Sequence, residues 1–175
     1  MKVLTLLRHA KSGWDDPVMR DFDRPLNPRG RRAAATVGRE IRRIPLGFDR
    51  IVASPARRVI ETLEEVEQAF GPLPARYDER LYLASPETLM EVAREAQDDV
   101  DRLLLVAHNP GLEELVLRLS AKGALRSEAA LKYPTATLAE MRFDVASWRQ
   151  IRDASGDLFR FIRPRDLDPE LGPED

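Results

Sequence analysis

Cysteine is absent from the 175-residue chain, and histidine occurs only twice. The first absence excludes disulfides, thiolate-bound metals and any enzyme that works through a cysteine nucleophile. Long hydrophobic runs are missing too. Nothing approaches the ~20 apolar residues of a membrane span, and the stretch Val3–Leu7 is too short for the hydrophobic core of a signal peptide. The expected setting is the cytoplasm, with no membrane partner. Charge of one sign is not in excess either. Lys and Arg number 28 against 30 Asp and Glu, interspersed to a net charge of −2, so no basic footprint for nucleic acid stands out. No Gly-x-Gly-x-x-Gly or P-loop pattern is present, which leaves nucleotide binding by those modes unsupported.

What the chain does have is 43% hydrophobic residues, enough for one domain with a substantial core. Val3–Leu7, Ile51–Ala53 and Leu103–Ala107 read as buried strands, and amphipathic segments at 28–43, 55–70, 86–97 and 110–120 alternate with them. Two later runs, about 135–143 and 157–163, read as strands that finish the sheet, with one antiparallel pair. Alternation of this kind predicts an α/β layer fold with a largely parallel sheet. Four helix starts share a signature: Asn27-Pro28, Ser54-Pro55, Ser85-Pro86 and Asn109-Pro110. A Ser or Asn cap accepts a bond from an orphan N–H, and proline at the first helical position sacrifices no needed donor. Residues 1–163 are expected to form a single domain. The acidic, Pro-rich segment 164–175 is expected to fray.

The histidines occupy matching settings. His9 follows the first strand directly, and His108 follows the strand at 103–107. In open α/β sheets ligands gather beyond the carboxyl ends of the strands, where helix N-termini also point. If the strands before His9, Ser54 and His108 are parallel neighbours, one crevice holds two imidazoles, Arg8, and a helix start carrying Arg57 and Arg58. That combination suits a phosphoryl group, because guanidinium forks match its oxygens. A neutral imidazole is a competent nucleophile toward phosphorus, and nearby cations help hold it neutral. The pattern does not choose between Arg57 and Arg58, and either could be a solvated or paired helix arginine (with Glu61 or Glu65). Zinc is a rival ligand for two histidines. No His-x-x-x-His or His-x-x-Glu-His spacing occurs, however, and adjacent arginines would repel a cation, so no metal or organic cofactor is expected. The pair Asp21-x-Asp23 has the spacing of an aspartyl phosphatase nucleophile but follows no hydrophobic strand, and is set aside.

These residues carry a resemblance. "LLRHAKSGWD" is similar to the Arg-His-Gly signature of the histidine phosphatase (phosphoglycerate-mutase-like) superfamily, "SPARRVIET" to its Ser-x-x-x-Arg-x-x-[Glu/Gln]-Thr motif, and "VAHNPG" to its second-histidine motif. "DRPLNPRG", "AHNPGLEEL" and "YPTATL" resemble the SixA-type phosphohistidine phosphatase branch, and the similarity spans roughly residues 3 to 163. The resemblance implies a three-layer α/β/α sandwich with a mostly parallel central sheet. It further implies that His9 is the nucleophile, that Arg8 and Arg58 clamp the phosphate, and that His108 donates a hydrogen bond to it. The motif spacing selects Arg58 over Arg57, and Asn109 is expected to complete the cradle.

Two positions depart from the family pattern: Ala10 stands where glycine is usual, and Asp15 where Asn is frequent. A carboxylate facing a phosphate dianion would repel it, so Asp15 is expected to turn away. Glu79, in "YDERLY", is a candidate general acid that could equally be a solvated loop charge. The substrate implied is phosphohistidine on a protein of a signalling relay, reached through an open site, since the segments after the motif strands read as short. The alternatives are a small-molecule phosphomonoesterase or mutase, which would need a working acid, and a phosphate-binding module without turnover.

Overall fold

The strands form where aliphatic residues run without interruption, because the central ones are covered on both faces. In the computed structural model, which describes residues 1–43 and 47–172, β1 (Lys2–Arg8), β2 (Arg50–Ala53), β3 (Arg76–Tyr77), β4 (Arg102–Ala107), β5 (Leu138–Phe143) and β6 (Asp157–Ile162) make one sheet. Its order is β3-β2-β4-β1-β5-β6. The pairs β3/β2, β2/β4 and β4/β1 are parallel, and β1/β5 and β5/β6 are antiparallel. The antiparallel part is thus two pairings rather than one. β3 went unread because it has two residues, both exposed.

The helices are α1 (Pro28–Arg43), α2 (Arg57–Phe70), α3 (Pro86–Arg94), α4 (Gly111–Leu119), α5 (Ala124–Leu131) and the short α6 (Pro164–Leu167). Alternate residues of β4 divide two cores. Leu103, Leu105 and Ala107 pack with α3, α4 and α5, while Leu104 and Val106 pack with α1 and α2. The architecture is a three-layer α/β/α sandwich. Among the described residues no helix is long and apolar enough to cross a membrane.

Two of the four expected caps act as such at a helix starting on the proline. Asn27 Oδ1 accepts from Gly30 N at 2.8 Å, and Ser85 Oγ from Thr88 N at 3.2 Å. The other two differ. α2 begins at Arg57, with Ala56 rather than Ser54 before it, and the Ser54 hydroxyl accepts from Ala56 N at 3.3 Å as well as from His108. α4 begins at Gly111, one residue past Pro110, and Asn109 Oδ1 still accepts from Glu113 N.

The C-terminal segment, expected to fray, packs through residue 172 instead. Leu171 is buried against the α1/α2 side, and Arg32 of α1 pairs with Asp168 and Glu170 at 2.7 Å each. The acidic residues that suggested disorder are ion-pair partners for this arginine. Residues 173–175 lie outside the described residues.

Candidate active site

β2, β4 and β1 are neighbours and parallel, so their carboxyl ends bring Ser54, His108 and His9 together. The two imidazoles lie with ring centroids 5.1 Å apart. They sit in a cleft of about 530 Å³, whose lining also includes Arg8, Arg58 and Asn109. All five residues expected from the sequence therefore meet in one place. Arg57 does not join them: half-exposed, it pairs with Glu61 at 2.9 Å. Arg58, one residue on along α2, is 2% exposed and turns into the cleft.

The hydrogen bonds define the state of each ring. His9 Nδ1 lies 2.7 Å from the carbonyl of Ala10, which can only accept, so Nδ1 carries the proton and Nε2 keeps its lone pair. Arg58 Nε approaches that Nε2 at 3.4 Å. Arg58 Nη2 also reaches His108 Nδ1 at 3.2 Å. A guanidinium can only donate, so Nδ1 of His108 is the bare nitrogen and its Nε2–H donates to Ser54 Oγ at 2.7 Å. Burial pushes the His9 pKa well below its usual value, and the charges of Arg58 and Arg8 push it further against the opposing bond to Ala10. Burial, then Arg58, brings His108 down to about 3. Both rings rest neutral.

Arg8 donates from Nη1 to the Tyr133 carbonyl, which also accepts from Asn109 Nδ2 at 3.0 Å. Its buried Nε has no hydrogen-bond partner among the described residues. An unpartnered buried donor is costly unless a ligand meets it.

Sequence reasoning missed Asp21, Arg24 and Tyr82. Residues 9–27, between β1 and α1, are no short turn: this segment brings Trp14, Asp21 and Arg24 to the cleft. Asp21 accepts from Arg58 Nη2 at 3.1 Å, Arg24 Nη2 at 2.9 Å and the Tyr82 hydroxyl at 2.5 Å. Burial alone would raise its carboxyl, but the bonds from Tyr82 and Arg24 and the charge of Arg58 outweigh it and bring the pKa down to about 2. The "DFDRP" stretch was visible, but only as an Asp-x-Asp pattern; its role as a counter-ion needed the fold. Asp15 and Glu79 are exposed and do not line the cleft. Among the described residues no three His, Asp or Glu side chains cluster as metal ligands would. Arranged this way, two neutral imidazoles between guanidinium groups can receive a phosphoryl group and compensate its charge.

The model of the histidine phosphatase superfamily (branch 1) matches residues 4–82, the part holding Arg8, His9 and Arg58. An uncharacterised protein of Mycobacterium tuberculosis (strain H37Rv) is 34% identical over 163 residues, covering 91% of this chain and 100% of its own. A candidate phosphohistidine phosphatase SixA from Agrobacterium tumefaciens superimposes with a TM-score of 0.79 at 29% identity, over 93% of this chain and 98% of its own. A second candidate SixA, from Nakamurella multipartitia, gives 0.78 at 27% identity, over 93% and 96%. The chain belongs to the histidine phosphatase superfamily and sides with its SixA-type members.

Proposed function

We propose that the protein hydrolyses phosphohistidine on a partner protein through a covalent intermediate on His9, without a metal or organic cofactor. The observation that carries this reading is the state of His9. Its proton is tied to the Ala10 carbonyl on Nδ1, and its Nε2 lone pair lies beside Arg58. In the first step Nε2 attacks phosphorus in line. The new N–P bond forms as the bond from phosphorus to the substrate imidazole breaks, and the substrate leaves as neutral imidazole, having arrived protonated on its other nitrogen. His9 is then a phosphoimidazolium whose Nδ1–H still donates to Ala10 O. Arg58 and Arg8 neutralise the equatorial oxygens, and the unpartnered Arg8 Nε is a donor in waiting. His108 and Asn109 complete the cradle. Water then attacks phosphorus, the N–P bond breaks, phosphate departs with the water's oxygen, and His9 regains its lone pair.

The acid question favours a phosphoramidate over an alkyl monoester. An alkoxide leaving group benefits from a proton donor. Among the described residues Asp21 is the one carboxylate lining the cleft; its pKa is held at about 2, and Glu79 lies outside the cleft. An imidazole leaving group needs no such donor.

The test measures phosphate release, with EDTA present, from free phosphohistidine, a phosphohistidine-bearing protein and a panel of phosphate monoesters. Turnover that is strongest on phosphohistidine and lost in His9→Ala supports the proposal. Preference for one monoester moves the enzyme to a metabolite, and activity surviving in His9→Ala overturns the nucleophile.

A further inference from the structure

The cleft is far more cationic than the chain that forms it. The protein carries a net charge of −2. Yet among the described residues, beyond Arg8 and Arg58, five more basic side chains line the cleft, against one carboxylate, Asp21. One phosphoryl group cannot use so many. Arg24 is already committed to Asp21 and Ser12. Lys132 and Arg165 form an outer pair. Lys132 follows α5, immediately before the Tyr133 carbonyl that holds Arg8 and Asn109, and Arg165 lies in α6. Neither side chain makes an ion pair among the described residues, whereas most surface arginines here do.

Exposed apolar side chains accompany this charge. Trp14 is 70% and Leu83 57% exposed, and both line the cleft. Arg24 stacks 3.5 Å from the centre of the Trp14 ring, which fixes its presentation. Leu83 has φ of +51°, a backbone region that a bulky residue occupies only at a cost. Its neighbour Tyr82 is pinned to Asp21, so the same network that organises Arg58 holds Leu83 outward. Neither side chain would be covered by a phosphoryl group and one imidazole.

We infer that the outer cleft, with Lys132 and Arg165 beside Trp14 and Leu83, is a docking surface for an acidic protein surface on which the phosphohistidine is carried. This rests on the phosphohistidine reading above. The occupant follows from charge complementarity: carboxylates around the modified histidine meet the outer cations, and an apolar spot on the partner covers Trp14 and Leu83. Aromatic anchors within a charged rim are the usual composition of a protein-recognition patch. Charge of this kind acts mainly on encounter, so its signature is a salt-dependent kcat/KM.

The experiment has two arms. In the first, peptides phosphorylated on a central histidine and flanked by glutamates or by glutamines are compared as substrates. The acidic peptide should be favoured roughly 10-fold or more in kcat/KM at low ionic strength. That ratio should shrink with salt and approach one in Lys132→Glu/Arg165→Glu. Equal rates on the two peptides, or a ratio that the double variant leaves unchanged, overturn the inference. The second arm is independent of turnover. The chain has two tryptophans, and Trp148 is fully buried, so Trp14 dominates the exposed emission. With the His9→Ala protein, the unphosphorylated acidic peptide should shift that emission and the glutamine peptide should not. A shift in this arm without hydrolysis in the first leaves the docking surface and removes the phosphohistidine reading. No shift, with free phosphohistidine still hydrolysed, does the reverse. Equal competition by a small bisphosphate would assign the outer cations to a metabolite and overturn the protein partner.

Discussion

Acid should destabilise this protein in a window where almost nothing but its two imidazoles titrates. His9 is 8% and His108 2% exposed, and both rest neutral. In the unfolded chain each returns to a pKa near 6.5. Below that value the unfolded state binds protons that the folded state refuses, so stability is full above about pH 6.5 and falls as pH drops toward the folded pKa. For His108 that lower limit is about 3. At pH 5 the folded pKa is already far below the ambient pH, so the cost depends on the unfolded value alone. It comes to about 2 kcal/mol for His108 relative to pH 7.5. His9, pushed down by burial and by the charges of Arg58 and Arg8, deepens the loss. Asp21 acts in a separate window. Its depressed pKa gives stability that is present above about pH 4 and lost toward 2. The assay is urea unfolding at pH 7.5, 6 and 5. With a slope of roughly 2 kcal/mol per molar, the midpoint should fall by roughly 1 M or more between the extremes. His108→Gln should flatten the dependence, whatever it does to stability at pH 7.5. An unchanged midpoint at pH 5, or a pH dependence that survives replacement of both histidines, would refute the claim that the rings are desolvated and neutral. The proposed nucleophile would lose its basis with it.

Ser54→Ala removes the acceptor of the buried His108 Nε2–H. We expect a cost of about 1–3 kcal/mol in stability and a change of tautomer visible in the ¹⁵N spectrum of only two imidazoles, with Ser54→Thr restoring both; an unchanged spectrum would show that Arg58 alone sets the ring. Glu79→Gln should leave turnover on phosphohistidine within about 2-fold, since loss of a true general acid costs about 10²-fold or more; steady-state kinetics decide. Gly111→Ala places a Cβ 2.0 Å from the carbonyl oxygen of Ala84, a backbone atom that cannot move aside cheaply. Loss of roughly 2 kcal/mol or more, a Tm lower by about 4–8 °C, is expected by calorimetry, and an unchanged Tm would mean that α4 starts differently.

The parts of this protein that could be read from its sequence share a physical property: they are periodic or continuous in apolar residues. β1 and β4 are buried on both faces and read as aliphatic runs, and β2, with alternate residues half-buried, still carries Ile51–Ala53 without interruption. Their C-termini then locate His9 and His108 by topology alone. What stayed hidden lacks that property. α5 buries one residue, Ala129, and leaves almost no stripe. The C-terminal segment is acidic, and its order depends on Arg32, more than 130 residues away in sequence. At the site the same division holds. Histidine is rare enough here to be conspicuous, whereas Asp21, Arg24 and Ser54 belong to types that usually cap, pair or face solvent. Ser54 shows the difficulty best. Before Pro55 its hydroxyl has two partners, the backbone N–H of Ala56 and a distant imidazole, and only the first follows from a local rule. The second partner is delivered by β4, which places His108 Nε2 at 2.7 Å from the hydroxyl oxygen. The hydroxyl oxygen has two lone pairs and serves both donors, and the buried ring N–H would pay a full desolvation if left unpaired. A serine that reads locally as a helix cap is therefore also a fixed point of the candidate site, and only the fold shows the second role.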